Sequence, residues 1–354
     1  MKRKPMLILV VVVLALVAGY FLIGGGSLAY ELSPDETYYS VTGYNGNPRH
    51  LEIPSEYKGK PVAGIFNNAF KGCDSLKSVV LPDSMDHITY SAFRECTSLE
   101  SVTIGNGVKS IDKTVFYKCA SLTSVTMGNS LLSIGESAFW ECESLTNVAI
   151  PDSVQNIDNS AFFGCDSLTS IVIPGGVKSI GDHAFNHCDA LTSIEVNENN
   201  ENYKSIDGDL YTKNGKTLIQ YAIGKTATTY AISNSITRVM PNAFQGSASL
   251  TSVVIGDNIE SIGEATFSDC SSLTSVVIGR GVKLIDIFAF SDCKVLNKVY
   301  YKGSASDWNK VKVYSWGNAS LTDATRYYYI ENEQDLPNDG GNYWHYVDGE
   351  PTAW

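Results

Sequence analysis

No cluster of lysine or arginine occurs after residue 4, and the net charge is -12 over 354 residues. A nucleic-acid binder needs basic clusters to displace counterions from phosphates, so that class is set aside. The cysteines show no CxxC spacing, which argues against the common structural zinc sites. There is no GxSxG elbow, phosphate loop, HExxH or dinucleotide fingerprint, and the Gly-x-Gly at Gly279 to Gly281 lacks the third glycine and the helix. Histidine is scarce, with five in the chain, and His50, His87 and His345 stand alone. The carboxylates are scattered, so no acid/base pair converges. Charged residues make up only 18% against 44% hydrophobic, which excludes disorder over most of the length. Neither an enzyme nor a cofactor or metal site is expected.

Only one long apolar run exists, Met6 to Ile23, preceded by Lys2, Arg3 and Lys4 and followed by Gly24, Gly25, Gly26 and Ser27. As a helix it would span about 27 Å, close to the roughly 30 Å hydrocarbon core of a bilayer. An N-terminal transmembrane helix acting as a signal anchor is expected, with cleavage after Ala29 and secretion as the alternative, because Ser27-Leu28-Ala29 supplies small residues. Either way the positive-inside rule puts the rest of the chain on the extracellular face of the membrane. No cysteine lies near this segment, so lipoprotein attachment is excluded.

What the chain has in abundance is internal repetition. Phe70, Phe93, Phe116, Phe139, Phe162 and Phe185 follow one another at a single constant interval, and Phe244, Phe267 and Phe290 resume it. The gap from Phe185 to Phe244 is one such period plus a long insertion. Within a unit such as Ile134 to Ile157, the alternation at Val148 and Ile150 marks a half-buried strand, and Pro151, or glycine at Gly105 and Gly128, turns the chain. A second extended piece is expected from Val154 to Ile157, with an irregular or helical-turn segment around Ala138-Phe139. One such unit buries too little to fold alone, so the units must stack as a solenoid whose like side chains form ladders.

The pattern at Ala138 to Ile157 and Ala161 to Ile180 resembles the BspA-like leucine-rich repeats of bacterial surface proteins, over roughly residues 38 to 301. The resemblance implies a β-rich leucine-rich-repeat solenoid of 23-residue coils, and adhesion or protein binding at the cell surface. It brings no catalytic residues. Gly105, Gly128, Gly256 and Gly279 replace the turn proline, a small departure.

The organisation expected is a signal anchor or signal peptide at 1–29, a partial first coil or cap at 30–64, repeats at 65–196, a hairpin insertion at 197–235, repeats at 236–301 and an aromatic-rich cap or tail at 302–354. The insertion opens with the polar run Asn197 to Asn202, and Asn214-Gly215 between apolar strands signals a hairpin projecting from the stack. Past Tyr301 the ladder is expected to stop. The tail holds Trp308, Trp316, Trp344 and Trp354, the first two read as capping residues.

All eight cysteines (Cys73, Cys96, Cys119, Cys142, Cys165, Cys188, Cys270 and Cys293) share one repeat position, where Ser247 stands once. They read as a buried column of small apolar groups rather than disulfide pairs. Asp182, His183, His187, Cys188 and Asp189 imitate a metal or nucleophile cluster, but the register makes the histidines equivalent to surface turn residues. Ser101, Thr103, Ser124, Thr126, Ser170, Val172, Ser275 and Val277 are expected to form a flat outer strand face. Candidate binding residues are therefore Tyr211 and Tyr221 in the hairpin and Trp344, Tyr346 and Trp354 in the tail. The partner is expected to be a protein or a surface glycan. The alternatives are a structural spacer and, further off, a hydrolase in residues 302 to 354, which hold one histidine.

Overall fold

The computed structural model describes residues 26–354. Each 23-residue unit lays down two extended pieces because its apolar residues alternate twice and its Pro, Gly or Asp-Ser corners turn the backbone between them. Ser101–Thr103 and Ser110–Ile111 belong to one coil, and Ser124–Thr126 and Ser133–Ile134 to the next. They pair parallel and in register, Val102 with Val125 and Ile111 with Ile134. A constant period with parallel pairing puts each residue type on its own kind, and the result is a β-solenoid of about 13 turns.

Between the two strands the chain runs through consecutive i to i+3 turns, such as Arg94 N to Ser91 O at 3.1 Å and Leu99 N to Cys96 O at 3.0 Å. Two residues per coil flank the ladder phenylalanine in the left-handed region: Ser91 (φ 58°) and Glu95 (φ 61°) around Phe93, Ser137 (φ 54°) and Glu141 (φ 51°) around Phe139. His183 (φ 59°) and His187 (φ 56°) occupy these same two positions, so the apparent cluster is a pair of turn residues. The phenylalanine rings stack from coil to coil with centroids 5.1 to 5.9 Å apart from Phe70 to Phe185. The cysteines are free, and seven are buried. Each buried thiol points at the phenylalanine carbonyl of the preceding coil, as in Cys142 to Phe116 O at 3.2 Å and Cys293 to Phe267 O at 3.0 Å. Burial pushes the Cys96 thiol up to about 12, so it is an inert group rather than a nucleophile.

The interruption is woven into the stack. Tyr221 lies one period before Phe244 and stacks on it at 5.0 Å, so the coil after Phe185 is an enlarged one with Tyr221 in the ladder. The hairpin forms across Asn214-Gly215, with Asp209–Thr212 antiparallel to Thr217–Gln220. It does not project as expected: its second strand pairs parallel with Arg238–Val239, because Leu210 and Leu218 are fully buried and draw it inward. The polar run has a structural task. Asn200 Nδ2 donates to the Pro174 and Val177 carbonyls at 2.8 and 2.9 Å, tying the enlarged coil to the corner of the coil before it. The apolar core accordingly divides, one cluster ending at Leu210 and Ala222 and the other starting at Tyr211. Between them Asp209, fully buried, accepts from Lys225 at 2.5 Å, the Ala222 amide at 2.9 Å and the Tyr230 hydroxyl at 3.2 Å. Burial raises the Asp209 carboxyl above its ordinary value even so.

Both ends of the stack differ from expectation. Ser27–Leu32 is a strand antiparallel to Tyr39–Asn45, with Ser27, Leu28 and Ala29 opposite Asn45, Tyr44 and Gly43. The first structural unit therefore begins before residue 30, and cleavage after Ala29 would remove half of its edge strand. The expected transmembrane helix over Met6 to Ile23 lies outside the described residues, and among those described no helix is long and apolar enough to cross a membrane. At the other end the ladder does not stop at Tyr301. Lys298–Tyr301 pairs with Thr325–Tyr329, and that strand with Tyr343–Val347, which turns back through Glu350–Ala353.

Candidate functional site

Three of the five residues proposed from sequence are interior. Tyr221 is 1% exposed in the phenylalanine ladder, and Tyr211, 5% exposed, shares a hydrogen bond with the Tyr230 hydroxyl at 2.8 Å. Trp344 is fully buried; its Nε1 donates to the Tyr301 carbonyl at 2.9 Å, and its ring packs on Tyr300, Tyr329 and Tyr346. It covers Val277, which was expected on the flat outer face and is buried instead. Burial removes these three as surface contacts. Tyr346 and Trp354 remain exposed at 38% and 40%, with Trp354 stacked on His345 at 3.6 Å. Of the two expected capping tryptophans, Trp308 is buried beneath Arg326, whereas Trp316 stands 72% exposed beside Phe288.

A surface that sequence reasoning missed runs along the turn side of the first half of the stack. From Phe70 to Phe162 the residue after the ladder phenylalanine points outward, and three successive coils place Tyr117, Trp140 and Phe163 there. Tyr117 and Trp140 stack at 6.0 Å and 17°, and Trp140 and Phe163 at 3.9 Å and 8°. His187 closes the row on Phe163 at 4.8 Å, and the Arg94 guanidinium closes it on Tyr117 at 4.5 Å. Glu141 ties the ridge together, accepting from Trp140 Nε1 at 2.8 Å and pairing with Lys118 Nζ at 3.2 Å. That hydrogen bond to Glu141 raises the Lys118 ammonium above its ordinary value.

The ring faces are turned toward one another, so the strip offers ring edges to solvent. Ring edges carry partial positive charge, while Arg94 and Lys118 are each neutralised by a carboxylate, Glu95 at 3.0 Å and Glu141 at 3.2 Å. A sugar ring stacks on an open aromatic face, and this ridge has none between its ends. Carbonyl oxygens and aromatic faces are the electrostatic complement of such edges. The ridge ends at the interruption, where the next coil has the buried Asn186, bonded to Gln245 Oε1 at 3.3 Å. The signal was a second column with the same period, one place after the phenylalanines.

A model of the BspA type leucine-rich repeat region matches residues 63–192, 132–229 and 219–327, in six copies. The chain belongs to the BspA-type leucine-rich repeat proteins. A leucine-rich cell surface protein of Faecalibacterium prausnitzii A2-165 is 28% identical, with a TM-score of 0.59 over 81% of this chain and 96% of that one. A leucine-rich repeat protein of Eubacterium ventriosum is 21% identical with a TM-score of 0.66, covering 87% of this chain and 80% of that one. One from Bacteroides ovatus is 23% identical with a TM-score of 0.56, covering 89% and 97%. The last two likenesses show the fold. No curated protein is significantly similar in sequence. The BspA-type chain thus shares its repeat architecture with bacterial proteins of which one is described as a cell surface protein.

Proposed function

We propose that this BspA-type chain is a surface-displayed binding protein, holding a protein partner on its rigid stack without catalysing a reaction. The observation that carries the reading is the ridge from Arg94 through Tyr117, Trp140 and Phe163 to His187. Tyr, Trp and Arg are the residues that dominate binding energy at interfaces, and here stacking freezes their rotamers before any partner arrives, which lowers the ordering cost of association. Display outside the cell agrees with the expected N-terminal anchor and with the description of the Faecalibacterium relative. The test is to immobilise the chain against a panel of purified host-matrix and bacterial surface proteins and to measure affinity by interferometry. Trp140→Ala is expected to weaken the partner found by at least roughly tenfold, in keeping with about 2 kcal/mol or more at a hot spot. A spacer, the second reading, depends only on the length of the stack. It is the one supported if no panel member binds, and if Trp140→Ala binds as well as the native chain the ridge is not the binding surface.

A further inference from the structure

The strand Ser179–Ile180 is the last of its sheet, and its outer edge has no strand partner among the described residues. In four earlier coils the equivalent carbonyls are all engaged. Ile88, Ile111, Ile134 and Ile157 accept the amides of Asp112, Gly135, Asp158 and Gly181 at 3.3, 2.8, 2.9 and 2.8 Å. One period further on, the donor to Ile180 would be Lys204, but Lys204 lies in the antiparallel pair with Tyr211. The enlarged coil therefore leaves the place of one strand unfilled. The Ile180 amide is met by the Tyr203 hydroxyl at 3.0 Å, a side-chain substitute for the missing carbonyl. The Ile180 carbonyl has no backbone amide in the place where its counterparts have one.

This edge borders a cleft of about 620 Å³, lined by Ile180, Tyr203, Ile219 and Met240 with Arg238 and Glu264. That volume lies within the roughly 300–1,000 Å³ of built ligand sites. An unpaired strand edge asks for amides at strand spacing, a demand that an extended backbone meets and an isolated hydroxyl or ion does not. The lining mixes apolar side chains with charges of both signs. We propose that the cleft binds an extended polypeptide segment of a partner protein, which adds a strand to Ser179–Ile180 and donates a main-chain amide to the Ile180 carbonyl. Main-chain bonding gives the affinity, and one inward apolar side chain against Ile219 and Met240 gives the preference. The site is separate from the aromatic ridge and does not rest on it.

The experiment pans phage-displayed random linear peptides on the full-length chain and measures the affinity of the selected peptides for that chain and for Thr217→Trp, whose added indole occupies the cleft. Selected peptides are expected to lose at least about tenfold in affinity for the variant, while binding at the ridge is retained. N-methylation along the best peptide is expected to abolish binding at one amide and leave its neighbours tolerant. That scan needs no protein variant and so reads the contact even if Thr217→Trp folds poorly. The proposal is overturned if no peptide is selected, if the peptides bind Thr217→Trp equally, or if every N-methylated peptide binds as well as its parent. Light scattering that shows two chains pairing through this edge would also overturn it.

Discussion

Ser247 occupies the cysteine column one coil after the enlarged one; it is 1% exposed and its hydroxyl has no hydrogen-bond partner in the protein. A buried unpartnered hydroxyl costs about 1–3 kcal/mol, whereas a thiol there is a small hydrophobe with a weak donor. Its carbonyl counterpart, Tyr221 O, already accepts from Gln220 Nε2 at 3.0 Å, which explains why the serine is left over. Ser247→Cys should therefore stabilise this part of the stack by about 1–2 kcal/mol. The opposing effect is crowding, since overpacking costs about 1–3 kcal/mol, and the rings either side are 5.0 Å apart, at the tight end of the ladder. Ser247→Ala separates the two, because it removes the hydroxyl without adding volume. A long repeat array need not unfold in one step, so the assay is native-state hydrogen exchange at the amides of Gly246 and Ser247, which bond to Ser268 O and Phe244 O. Both variants should slow exchange there, by about tenfold for each 1.4 kcal/mol. If Ala stabilises and Cys does not, crowding wins; if neither does, the claim that the hydroxyl is unpaired is refuted.

Three further outcomes are expected. Lys225→Met leaves the buried Asp209 carboxylate without its cation and should destabilise the chain by about 3 kcal/mol. Since the folded state already raises the Asp209 carboxyl, that loss should grow as pH rises through the carboxyl's titration and shrink under acid, which urea titrations at several pH values would show. Ala265 holds φ 48° at a left-handed turn position; Ala265→Gly should stabilise by up to about 1 kcal/mol in the same denaturation assay. Asp307 accepts from Lys310 and closes the capping box with Ser304, which lowers its carboxyl to about 2. Its contribution should be complete above the ordinary carboxyl range and disappear as pH falls through about 2, as an NMR titration of Asp307 would report.

The repeat was legible because one residue type recurs at one interval, and a periodic stack leaves little choice about which face is buried. The cysteine column and the demotion of His183 and His187 came from the same register. Tyr221 was not legible as a ladder member: it stands well over one period after Phe185, and counting forward from there hides that it lies one period before Phe244. The hairpin was found through Asn214-Gly215, yet its packing depended on which way Leu210 and Leu218 faced, and local turn chemistry does not specify that. Trp344 looked like a surface aromatic, but the tail strand that carries it extends the sheet and lays its indole over Val277 and Tyr300. The ridge was readable in principle as a second column of aromatics, and was overshadowed by the larger phenylalanine ladder beside it.

The seam of Asn200, Tyr203, Asp209 and Lys225 makes the stack two apolar bodies laid end to end rather than one. A tether anchored at one end and loaded at the other carries tension through every coil, and it yields where dry contact is thinnest. Force applied to the two ends should therefore produce two separate extensions, the first opening at the enlarged coil. Such a joint would let either half open without dragging the other apart.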